Sequence, residues 1–117
     1  MPTREDEILL RVFLGESDLH HGRPLYEAIV LKARELHLAG ATVVRGIMGY
    51  GQHSRLHAAK ILRLSEDLPV IVEIVDREET IEPLLSWLDE VIDEGLVTIE
   101  HAGVLRRGEG GHRKRES

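Results

Sequence analysis

The chain contains no cysteine, which excludes a disulfide framework, a thiolate metal centre and a cysteine nucleophile. Aromatics are scarce, with one Trp, two Tyr and one Phe among 117 residues, so any core must be built from aliphatic side chains. No apolar run approaches the roughly 20 residues that cross a bilayer. The opening MPTREDE is acidic and lacks the apolar segment of a secretory signal. A soluble, cytoplasmic protein is the expectation. Positive charge is also short: the formal net charge of −6 argues against nucleic acid as a partner. Against these absences stands a hydrophobic content of 42%, ordinary for a globular chain and enough for one domain with a modest core. Basic residues gather in the stretch Arg106 to Ser117, where five Arg or Lys stand against two Glu. That composition suits a solvated tail, so a domain over 1–105 and a basic tail over 106–117 are expected.

Apolar periodicity divides the domain. EILLRVFL (Glu7 to Leu14) reads as a strand with Arg11 set inside it, and GESDLHHG (Gly15 to Gly22) as turn material. Pro24 to Ala39 carries apolar residues at helical spacing, with Pro24 in the first turn and Gly40 as the stop. ATVV (Ala41 to Val44) begins a second strand. LPVIVEIVD (Leu68 to Asp76) is the strongest strand, apolar enough to lie centrally. Thr80 to Glu94 predicts a second helix, in which Pro83 is tolerable if it falls in the first turn. Leu96 to Leu105 predicts the last strand. The order β-α-β, β-α-β is that of the ferredoxin-like α+β sandwich: a four-stranded antiparallel sheet with both helices on one face. Alternation offers Leu10, Val12, Val70, Val72, Val97 and Ile99 as an apolar set for the uncovered face.

The two middle strands are separated by Gly46 to Asp67, far longer than a tight hairpin needs, and loops of that length are usually functional. Its root, RGIMGYG, holds Gly46, Gly49 and Gly51. By themselves these glycines do not make a dinucleotide fingerprint, and a chain turn would account for them. Arg45 suits a phosphate anchor or, more simply, a surface ion pair. Glu16, Asp18 and Glu35 read as solvated charges, and the acids of DREETIE as a helix N-terminus.

The stretches GESDLHHGRPLYEAIVLKARELHLAGATVVRGIMGYG, LSEDLPVIVEIVD and LDEVIDEGLVTIE resemble the family known as domain of unknown function 190, which is similar to the PII signalling proteins. The resemblance runs from about Glu7 to Val104. It implies a ferredoxin-like fold, a homotrimer, a mobile loop between the second and third strands, and a small-molecule effector bound in clefts between subunits. In PII proteins that effector is an adenine nucleotide, and the loop engages a target, often a membrane transporter. Carried over by motif, the implied ligand-binding residues are Thr42, Gly49, Tyr50, Gly51, Gln52 and Arg106. Three departures matter. His53, with Gln52 one place early, stands where PII carries its glutamine, and Val104 stands where PII carries the first of two arginines. After the second helix, DEGLVTIE replaces a glycine-rich phosphate loop with something shorter and acidic, which favours a ligand less charged than a triphosphate. No nucleophile elbow or framed carboxylate pair is present, so a regulator is expected and an enzyme is not. The alternative is a trimeric divalent-metal-binding protein: His53 and His57, four residues apart, would share a helical face, though zinc would need a third ligand.

Overall fold

A computed structural model of the protein describes residues 4–50 and 67–105. Among these residues six strands and two helices follow in order: β1 (Glu5–Gly15), β2 (Leu19–His20), β3 (Arg23–Pro24), α1 (Leu25–Glu35), β4 (Thr42–Arg45), β5 (Pro69–Asp76), α2 (Glu78–Val91) and β6 (Leu96–Val104). The main sheet has four strands in the order β4-β5-β1-β6, with every neighbouring pair antiparallel. This is the expected ferredoxin-like arrangement. The strand that begins the chain therefore sits inside the sheet, and β4 and β6 form its edges.

Both helices lie on one face. Leu10, Val12, Val70, Val72, Ile74, Ile29, Ile81, Leu84 and Leu88 are essentially sealed from solvent. Four residues expected on the uncovered face, Leu10, Val12, Val70 and Val72, thus belong to the helix-facing core. The pairings Val12 with Val72 and Leu14 with Val70 place them there together. The reason lies in the pattern itself: β1 and β5 are apolar at both parities, so alternation could not say which set meets the helices. Val97 and Ile99 share the helix-side parity, since they pair with Val12 and Leu10. They nonetheless remain exposed on the edge strand.

Local chemistry also moved element ends. The first helix stops at Glu35 rather than near Gly40. His37 adopts a left-handed φ of 65°, its N–H donates to the Arg34 carbonyl, and the Leu38 N–H donates to the Ala33 carbonyl. This is a Schellman stop with histidine where glycine is favoured, sealed by the buried Leu38. Pro83 falls in the second turn of α2, because that helix starts at Glu78; its ring removes one intrahelical hydrogen bond. The turn material after β1 forms a small hairpin, with His20 opposite Arg23. Its two-residue turn has positive φ at both His21 (53°) and Gly22 (78°), the signature of a primed turn.

Candidate functional site

At one end of the sheet the root of the long connection is fixed by three short segments. The Gly46 N–H donates to the Pro69 carbonyl at 2.7 Å, and the Glu16 N–H to the Leu68 carbonyl at 2.8 Å. Asp67 accepts from the Ser17 N–H at 3.1 Å, while Asp18 accepts from the Gly15 N–H at 3.0 Å. Arg45, the last residue of β4, is paired through Nη2 with the Glu16 carboxylate. The turn after β1 thereby grips both the outgoing and the returning chain.

The root glycines have a packing role. A Cβ on Gly46 would lie 2.8 Å from Cγ of Pro69, and one on Gly49 would lie 3.0 Å from the same atom. Both glycines close on the proline ring that opens β5, a place where proline costs no ladder bond. Beyond them the chain turns outward. Ile47 is 93% exposed, Met48 67% and Tyr50 73%, an apolar ledge without cover from the described residues.

Of the expected ligand residues, Gly49 and Tyr50 sit together on this ledge. Thr42 does not join them: it lies at the far end of β4, exposed and paired with Glu73. Three strand steps, about 10 Å, separate Thr42 from Arg45 at the base of the ledge. Gly51, Gln52, Arg106 and the candidate metal ligands His53 and His57 lie outside the described residues, as do residues 51–66 of the expected mobile loop and the basic tail over 106–117. Among the described residues there is no grouping of three His, Asp or Glu side chains able to hold a metal.

The uncovered sheet face carries a second polar arrangement. Arg11 donates from Nε to Glu73 at 3.0 Å and from Nη1 to Glu100 at 3.0 Å. The Glu73 hydrogen bond, aided by the charge of Glu100, raises the guanidinium pKa above its already high ordinary value. A cation with a raised pKa keeps its contribution at every pH below the ordinary value and loses it only on passing above; Arg11 is charged throughout the working range. By strand parity Leu9, Phe13, Ile71 and Val75 share this face, and all four are half-buried. Arg11 inside an apolar run was the sequence signal for the triad. The pairing of Arg45 with Glu16 had no such signal, because 29 positions separate the two residues.

Residues 7–104 match the family designated DUF190, an uncharacterized ACR. The chain belongs to this family. Two UPF0166 proteins are each 39% identical to the DUF190 chain over 99 residues. The one from Aquifex aeolicus (strain VF5) aligns over 83% of this chain and 91% of its own length; that from Methanocaldococcus jannaschii aligns over 84% and 91%. Among solved structures, CPII from Thiomonas intermedia K12 bound to ADP and bicarbonate superposes with a TM-score of 0.63 at 18% identity, covering 91% of this chain and 95% of CPII. The same protein, described as nitrogen regulatory and PII-like, bound to ADP, AMP and bicarbonate, gives 0.60 at 16% identity over 90% and 99%. The likeness to CPII is one of fold. Among the described residues, no helix is long and apolar enough to cross a membrane.

Proposed function

We propose that this DUF190 chain is a PII-like regulatory protein rather than an enzyme. In this reading it assembles as a homotrimer and binds a small anionic metabolite, an adenine nucleotide, in the clefts between subunits. The cleft residues are Gly49, Tyr50, Gly51 and Gln52 from the loop root of one subunit, with Thr42 and Arg106 completing the set. Ligand contacts bias the connection between β4 and β5 toward one conformation, and that conformation engages or releases a partner such as a membrane transporter. A ligand can do this only through a difference in affinity between the two states.

One observation carries the reading: the ledge Ile47–Tyr50 stands exposed while its base is held rigidly on Pro69 and Leu68. A fixed base with an unsatisfied apolar, aromatic edge suits a planar base stacking against Tyr50. The distance of Thr42 from this ledge within one chain favours a site shared between copies. The fold it has in common with ADP-bound CPII is compatible with that ligand. Acidic DEGL after α2 in place of a phosphate loop favours ADP or AMP over ATP.

Thermal unfolding with each nucleotide, and separately with zinc, tests the reading. At a hundredfold excess over Kd, a true ligand adds about 2.7 kcal/mol to the folded state. Stabilisation by ADP or AMP is the expected result. Stabilisation by zinc alone, lost on replacing His53 and His57, would move the protein to the metal-binding class.

A further inference from the structure

Arg45 stands beside the proposed cleft with an incomplete partner set. Its side chain remains 59% exposed, against 23% for Glu16, whose carboxylate it meets through Nη2. A guanidinium offers five N–H donors in a rigid fork, so most of its donors still face solvent. The other carboxylates at this corner, Asp18 and Asp67, are already engaged by backbone N–H groups. The backbone on both sides is pinned, at Gly46 to Pro69 and at Glu16 to Leu68, which fixes the cation at the base of the ledge.

Resting on the nucleotide-binding reading above, we propose that Arg45 is an anion-binding residue of the cleft, held in the empty protein by Glu16, and that a phosphate group of the ligand displaces Glu16 from it. The magnitudes favour exchange. A half-exposed surface ion pair holds its partners by no more than about fivefold. A phosphate oxyanion engages the guanidinium fork through two parallel bonds, and such charge-assisted contacts are worth about ten- to a hundredfold in affinity. Glu16 therefore acts as a resident counter-ion. It keeps Arg45 from adventitious anions and sets a threshold that a true ligand must exceed.

The signature is an opposite response of the two partners. Calorimetric titration of ADP and of inorganic pyrophosphate is made against the full-length parent, Arg45→Ala, Glu16→Gln and a charge-matched control, Glu35→Gln. Arg45→Ala is expected to weaken ADP about tenfold or more. Glu16→Gln is expected to tighten it by about three- to fivefold, and Glu35→Gln, on α1, to leave it within twofold. A purely structural ion pair would instead make Arg45→Ala and Glu16→Gln equally unstable without opposing shifts in affinity. ADP binding that is unchanged in Arg45→Ala, or equally tightened by Glu35→Gln, would overturn this inference and leave the nucleotide reading standing. Failure of parent and Glu16→Gln alike to bind either probe would overturn both. Pyrophosphate binding by Glu16→Gln alone would support the counter-ion role.

Discussion

Gly46 and Gly49 illustrate how a residue can be important for a reason other than the one its motif suggests. RGIMGYG invites the view that glycine lets backbone approach a ligand, yet the described contacts show both glycines approaching Pro69. A methyl group at position 46 would press on a ring carbon at 2.8 Å, and a pyrrolidine ring cannot swing aside as a long side chain would. Gly46→Ala should therefore destabilise the fold by about 1–3 kcal/mol, read as a lower midpoint in urea. Asp76 teaches the same lesson. It is buried, and its two carboxylate oxygens accept from the Ala39 N–H at 2.9 Å and the Arg77 N–H at 2.7 Å. The acid that reads as part of a helix N-terminus also clips the segment after α1 to the end of β5. Asp76→Ala leaves those N–H groups without their acceptor and should cost about 1–3 kcal/mol by the same measurement. Neither role was legible in the sequence, since each joins positions twenty or more residues apart that local pattern cannot connect. The resemblance named Gly49 and Tyr50, and these do stand together on the ledge. It also named Thr42, which one protomer places at the other end of β4.

At the scale of elements, strand and helix identities were legible because apolar spacing differs between them, and every main strand and both helices lie where periodicity put them. What spacing could not decide was the facing of β1 and β5, where both parities are apolar. Leu9 and Phe13 could have met the helices as well as Leu10 and Val12 until the register with β5 was known. This assignment has a direct consequence. Leu10→Ala should cost about 2–5 kcal/mol through a core cavity, whereas loss at Phe13 should act mainly on association. Element ends depended on capping that sequence rules rank by preference only. His37 occupies the left-handed position of the α1 stop at φ 65°, where a side chain costs about 1 kcal/mol that glycine does not. His37→Gly should accordingly raise stability by up to about 1 kcal/mol, and a fall in the urea midpoint would show that the cap is misassigned.

At the scale of the whole molecule, the sheet face opposite the helices and the exposed ledge are both surfaces that the described residues of a lone chain leave open. Phe13, Ile71, Leu9 and Val75 surround the Arg11 triad, and an apolar face of this kind with satisfied charges at its middle suits association between copies. Phe13→Asp should give a monomer, measured by light scattering at micromolar concentration, if that face is the contact. The central claim is that this DUF190 protein is a trimer whose shared clefts hold an adenine nucleotide. A native mass spectrum recorded with and without ADP tests it most directly. The account predicts a trimer that takes up as many as three ADP molecules; a monomer, or a trimer that retains no nucleotide at any concentration, would contradict it.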